Sequence, residues 1–295
     1  MKKVFYLIAL VFAVFTTSCT NEDDNNFNEK LVLQHIYSVT SKNGATTTYE
    51  PTYFTYELNY NNGTADITLK DVKFSPMMPN ITMDLKNVPF TSSMTGVKIN
   101  ATDLIPEVGG TPMNDYTITS FACRIAHSSV TNISTSMVSF VVNNAFTINA
   151  YPNPSTFEHD SNTHVVDIVS SSTTTDFDYN KTKYAIVLNQ ETNLADIYLY
   201  NVKFADGMPA MNMIFKSVSF TSTASGFDFT CEELIPCLNN SEQTPVDSYP
   251  IKNLTASVSG GKLSINFLCN NTIANRLYSV KSTAYMFESD SLPTN

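Results

Sequence analysis

The stretch Ala65-Asp66-Ile67-Thr68-Leu69-Lys70-Asp71-Val72-Lys73-Phe74 returns 130 residues later as Ala195-Asp196-Ile197-Tyr198-Leu199-Tyr200-Asn201-Val202-Lys203-Phe204. Extended in both directions without a gap, residues 58–106 and 188–236 share 21 of 49 positions, far more than chance allows. The identities run through Met78-Pro79 and Met208-Pro209, Phe90-Thr91-Ser92 and Phe220-Thr221-Ser222, and end at Leu104-Ile105-Pro106 and Leu234-Ile235-Pro236. A domain has been duplicated, and each copy must bury a core of its own.

The pattern inside the repeat is that of strands. Apolar residues fall on odd numbers at Ala65, Ile67 and Leu69, then on even numbers at Val72 and Phe74; the next segment runs Ile81, Met83, Leu85 and then Val88, Phe90. Pairing the two as a hairpin whose residue numbers sum to 157 sets Ile67 opposite Phe90, Leu69 opposite Val88, Val72 opposite Leu85 and Phe74 opposite Met83. A sum of 417 does the same in the second copy. Successive strand side chains point to opposite faces, so each parity change needs an explanation. A bend or facing bulges at a barrel corner would keep all these residues in one core, and this is the reading preferred. The other is a hairpin tip whose reversed face packs on a partner or a ligand.

Outside the block the same alternation gives about eight short strands per copy, from 31–41 to 146–151 and from 164–171 to 277–287, in the manner of a meander barrel or a sandwich. Gly260-Gly261, between Leu254 to Val258 and Leu263 to Ile265, predicts a two-residue hairpin turn with φ > 0 at both positions; the first copy spends a longer loop, 127–135, there. Thr102 to Ile105 and Glu232 to Ile235 read as single helical turns, acidic at the start and stopped by Pro106 or Pro236.

Apolar residues make up 42% of the chain and charged ones 15%, which suits a β-rich globular protein. Met1-Lys2-Lys3, an apolar run and Thr16-Thr17-Ser18-Cys19 form a signal peptide over 1–18, too short to span a hydrocarbon core of roughly 30 Å. Removing Lys2 and Lys3 leaves 15 basic against 27 acidic groups, a net charge of −12 that disfavours nucleic acid and anionic lipid surfaces. The cysteine after small residues resembles a bacterial lipobox, which implies lipidation of Cys19 and an anchor in the outer membrane. Each buried CH₂ of such an anchor contributes about 0.8 kcal/mol. Thr20 to Asp24 resembles the acidic export tether of Bacteroidota surface lipoproteins. The expected organisation is tether over 19–30, barrel repeat over 31–152, linker over 153–162 and second repeat over 163–290.

Residues 65–74, 195–204 and 254–267 carry a strand pattern that is similar to the calycin-like β-barrel lipoproteins of Bacteroidota. The resemblance implies an all-β fold of two tandem antiparallel barrels, each of about eight strands, with two β-sandwiches as the alternative. It supplies no catalytic residue and no cofactor. The lipocalin Gly-x-Trp is missing, since the chain has no Trp.

Chemistry-bearing motifs are sparse. Cys231 and Cys237 bracket the Glu232 to Pro236 turn and are candidates for a disulfide in an oxidising envelope. Cys123 and Cys269 read as buried small hydrophobes. Glu158, His159, Asp160 and His164 read as solvated linker rather than as metal ligands, and Met77, Met78, Met83, Met208, Met211 and Met213 as core filling rather than a copper site. Asp66, Asp196, Lys73 and Lys203 read as solvated surface, with Asp71 opposite Lys86. With no hydrolase, metalloprotease or phosphate-loop motif, the expectation is a binding protein and not an enzyme. One reading is a small apolar or amphipathic ligand held at the barrel mouths by Phe74, Met78, Pro79, Met83 and Leu104, and by Phe204, Met208, Pro209, Met213 and Leu234. The other is a surface module that meets protein or glycan through exposed loops and faces bearing Tyr53, Tyr56, Tyr60, Tyr198 and Tyr200.

Overall fold

The structure, a computed structural model, describes residues 28–168, 176–204 and 208–288. The signal peptide, Cys19 and the acidic residues after it lie outside the described residues. The first copy supplies β1 (Asn28–Ser41), β2 (Thr46–Asn59), β3 (Thr64–Val72), β4 (Ile81–Ser93), β5 (Gly96–Ala101), the short β6 (Glu107–Val108) and β7 (Thr111–Pro112), β8 (Ile118–His127), β9 (Ser134–Val142) and β10 (Phe146–Pro152). The second supplies β11 (Ser155–Phe157), β12 (His159–Asp167), β13 (Asp176–Tyr179), β14 (Lys183–Asn189), β15 (Leu194–Val202), β16 (Met211–Thr223), β17 (Gly226–Leu234), β18 (Cys237–Leu238), β19 (Ile251–Ser259), β20 (Lys262–Asn271) and β21 (Arg276–Tyr285).

Each copy is a barrel. In the first, β1-β2-β3-β4-β5-β8-β9-β10 run antiparallel in that order and β10 returns to β1, closing an eight-stranded ring. The second sheet curls through β14-β15-β16-β17-β19-β20-β21-β12, and its seam is spanned by one interrupted strand. The first part of that strand, β11, pairs with β14; the second, β12, pairs with β21 and β13. Residues expected as a linker are therefore mostly strand, because β10 ends at Pro152 and β11 starts at Ser155.

The parity changes are bulges, and they keep one core. Ala65, Ile67, Leu69, Val72, Phe74, Met83, Leu85 and Val88 are all buried, as are their counterparts in the second copy. The register differs from the expected one, however. Ala65 faces Val88, Ile67 faces Leu85, Leu69 faces Met83 and Val72 faces Ile81, so the pairs sum to 152 or 153 instead of 157. The bulges do not face each other: one adds a residue to β4 beside Asp66, the other adds a residue to β3 beside Thr82. The bulged residues Asp71 and Asn87 take positive φ, 51° and 53°, as do Asn201 and Ser217 at 56° each.

Side chains from the opposite strand fix these bulges. Asp66 Oδ1 accepts the Asn87 N–H at 2.8 Å and Asp196 Oδ1 accepts the Ser217 N–H at 3.0 Å. At the other bulge Thr82 Oγ1 accepts the Asp71 N–H and Asn212 Oδ1 accepts the Asn201 N–H. The duplicated aspartates are thus bulge caps, and Lys86 pairs with Asp66 rather than with Asp71. Asp66→Ala and Asp196→Ala are each expected to cost about 1 kcal/mol, read as a lower urea midpoint, while the Asn variants, which keep the acceptor oxygen, should cost less than half of that.

Gly260 and Gly261 form the predicted tight turn, with φ of 56° and 78° and Ser259 facing Lys262. Neither predicted helical turn forms: Asp103 takes a positive φ of 55° before Leu104 bridges Ile118, and β17 runs on as strand through Leu234. A turn of helix would strand backbone groups that these ladders satisfy.

Candidate functional site

The barrel mouths bring the expected residues together but stopper the barrels with them. In the first copy Phe74 and Met83 are buried and Met78 and Leu104 pack on the same core, leaving Pro79 exposed. Tyr116 completes the plug, its ring 6.2 Å from that of Phe74. In the second copy Phe204 and Met213 are buried, Met208 and Leu234 pack against them, and Tyr249 plays the part of Tyr116, 6.4 Å from Phe204; Pro209 is again exposed. Tyr116-Thr117-Ile118 and Tyr249-Pro250-Ile251 repeat at an offset of 133, three more than the main block, which is why a gapless alignment misses the pair.

The interiors behind the plugs hold packed side chains. Phe54, Tyr56, Phe121, Phe140, Phe215 and Phe229 are each at most 1% exposed, and an eight-stranded barrel is just wide enough for such residues to fill. Clefts form outside instead. One of about 410 Å³ lies on the outer face of β1, β2 and β3, lined by Lys30, Glu57, Asn59 and Asp66 among others. Another of about 340 Å³ lies on the outer face of β17, β19 and β20.

Cys231 and Cys237 are free thiols in the structure, against the expected bridge. The chain leaves β16 after the Ser219–Thr230 pair and returns to it only where Cys237 faces Ile214. About four residues of β16 thus separate the two cysteines, roughly 13 Å at 3.3 Å per residue, beyond the reach of a disulfide.

Both barrels bury a polar network, Tyr184, Thr163 and Ser282 in the second and one that includes a histidine in the first. His35 is fully buried, with Nδ1 3.1 Å from Leu33 O and Nε2 2.7 Å from Ser136 Oγ. Its ring stacks on Phe54 at 4.6 Å, and Tyr56 Oη lies 3.2 Å from the same Ser136 hydroxyl. Burial lowers the imidazole pKa to about 4 and raises the Cys123 thiol beside Tyr56 to about 12, so both are neutral and unreactive at ordinary pH. The registers put Ile186, Ala256 and Leu263 of the second barrel where the first has Tyr56, Cys123 and Ser136. Tyr56 is therefore unavailable for stacking on a sugar, whereas Tyr53 is exposed on the outer face.

The barrels pack through unlike faces. Arg124, Met137, Tyr151 and Ile36 occupy one outward row across β8, β9, β10 and β1, and all four are buried. Ile36, Met137 and Tyr151 belong to the core of the second copy; Tyr151 Oη donates to Ser225 O and accepts the Gly260 N–H, and Arg124 lies over the Phe287 ring. The equivalent residues of the second barrel, Ser257, Ser264, Thr283 and Asn162, are polar, and Asp228, the counterpart of Lys98, extends that row onto β17.

No family model and no curated protein matches the chain. Among solved structures it is similar to a Bacteroides fragilis protein assigned to the outer membrane, at 15% identity over 86% of this chain and 96% of that one, with a TM-score of 0.34. It is also similar to transferrin binding protein B of Haemophilus parasuis (7% identity, 88% and 76% covered, TM-score 0.24) and of serogroup B Neisseria meningitidis (7%, 87% and 76%, TM-score 0.23). At these identities the likenesses are distant ones between β-rich chains.

Proposed function

We propose that the protein is a surface-anchored binding module, held to the outer membrane by lipid on Cys19, that recognises a neutral hydroxyl-bearing polymer on the outer face of its second barrel without turning it over. One observation carries this reading: duplication made two copies of one outer face, of which the apolar copy is spent on joining the barrels while its twin is polar. On that twin, Asp228, Ser257 and Ser264 lie side by side across three strands, and Thr230, Thr255 and Asn266 form the next row. The six offer one carboxylate, one amide and four hydroxyls on short side chains, alternating donors and acceptors suited to the hydroxyls of a glycan chain. The net negative charge argues against anionic polymers. Packed interiors support this face over carriage of a small apolar ligand inside a barrel.

The test is depletion of neutral polysaccharides by the full mature chain, with native mass spectrometry of the protein from its own host alongside. Asp228→Ala combined with Asn266→Ala is expected to weaken polysaccharide binding at least tenfold while leaving the thermal midpoint in place. A co-purifying small apolar molecule, or polysaccharide binding untouched by the double variant, would overturn the assignment.

A further inference from the structure

The second barrel is poorly joined at its seam. In the first barrel β1 pairs with β2 along nearly its whole length, from Asn28 to Thr40, across a single bulge at Ile36. In the second, β11 reaches β14 only over Ser155 to Phe157, and β12 reaches β13 only from Thr163 to Val166. Between them the strand breaks at Glu158, and the buried hydroxyls of Ser161 and Thr182 lack partners there.

A loop of the first barrel covers this break. Residues 128–133 between β8 and β9 stand where the second barrel makes its two-glycine turn, and they reach Glu158, whose side chain is only 7% exposed. Both Ser128 and Ser129 hydroxyls donate to its carboxylate, as do the N–H groups of Ser129 at 3.1 Å and Val130 at 3.3 Å. Lys183, at the start of β14 across the seam, donates to Ser129 Oγ at 2.9 Å and lies 3.5 Å from the carboxylate. The Glu158 N–H donates to Tyr285 O of β21. The Tyr200 phenol on β15 lies within electrostatic reach of Glu158, and His159 follows in the chain.

We infer that the 128–133 loop is a strap: clasped by the Glu158 carboxylate and by Lys183, it staples the seam of the second barrel, so that closure of one copy depends on a loop of the other. Burial pushes the Glu158 carboxyl up, but the donors of Ser128, Ser129 and Val130 together with Lys183 outweigh it and hold the group below the usual carboxylate range. The clasp is therefore closed at neutral pH and through mild acid, and opens only below the range in which an ordinary glutamate titrates.

Amide hydrogen exchange on the full chain tests this. In Glu158→Gln, protection at Ser129 and Val130 and at the seam amides of β11 and β14 should fall at least tenfold, while the β1–β2 ladder keeps its protection. The pair Ser128→Ala with Ser129→Ala should reproduce the pattern, and serves if the first variant fails to fold. Seam protection that survives both variants, or a loss spread evenly over both barrels, would overturn the inference.

Discussion

Gly226→Ala is expected to destabilise the protein by at least about 3 kcal/mol, and Gly96→Ala by a similar amount. A Cβ on Gly226 would stand 1.9 Å from Val258 O, and one on Gly96 would stand 2.1 Å from Ile125 O. Both obstacles are backbone carbonyls of the neighbouring strand, so no side chain can turn aside; the strands must part, which breaks the ladders β5–β8 and β17–β19 where they begin. Gly96 adds conformational strain, since its φ of 123° is a region that L side chains rarely adopt. Gly109 separates the two causes. Its φ is 58° but its Cβ would meet nothing within 4 Å, so Gly109→Ala should cost only about 1 kcal/mol. Urea unfolding followed by circular dichroism checks all three; with slopes of about 1–3 kcal/mol per molar, the first two variants should move the midpoint by roughly 1 M or more. A Gly226→Ala midpoint no lower than that of Gly109→Ala would mean that the strands do not approach as closely as the structure has them.

Gly96 and Gly226 also show how far the sequence could be read. They are identical positions of the repeat, and the duplication with its alternating strands announced the barrels. What periodicity does not carry is register. A parity change says that a bulge exists somewhere between Leu69 and Val72, but the partner strand can absorb its own bulge several residues away, and the staggered arrangement satisfies the same apolar pattern as the facing one. Asp66 and Asp196 looked like surface charges because the backbone N–H they accept is exposed only by the bulge. Glu158 looked like linker for a related reason: its partners lie in a loop of the other copy, and no local pattern reports a contact between residues 128–130 and 158. Residues within the mouths were legible as a group, since Phe74, Met78, Met83 and Leu104 do meet. Whether such a group lines an opening or plugs it depends on Tyr116 and Tyr249, whose offset departs from that of the block.

Acidification should cost this protein stability through His35, by about 3 kcal/mol between pH 7 and pH 4, beyond whatever its carboxylates contribute. In the unfolded chain the imidazole takes its proton near 6.5; in the fold, burial delays this to about 4. Between those values the unfolded state binds the extra proton, so stability is complete above pH 6.5, declines as pH falls through the interval and has lost the whole amount below pH 4. Burial explains why the neutral ring is the one favoured. Both ring nitrogens have a carbonyl oxygen in reach, Nδ1 3.1 Å from Leu33 O and Nε2 3.0 Å from Ser136 O, and these favour the charged form; desolvation of a fully buried ring stacked on Phe54 outweighs them. His35→Gln removes the titration. Its stability at pH 7 will be lower, but the drop from pH 7 to pH 4 in urea titrations should shrink by about 3 kcal/mol relative to wild type. The second barrel supplies an internal control, because Ile186, Ala256 and Leu263 stand there in place of Tyr56, Cys123 and Ser136. An unchanged pH dependence in the variant would show that His35 is already charged, or already wet, in the native protein, and with it that the first barrel is less tightly filled than its buried aromatic rings require.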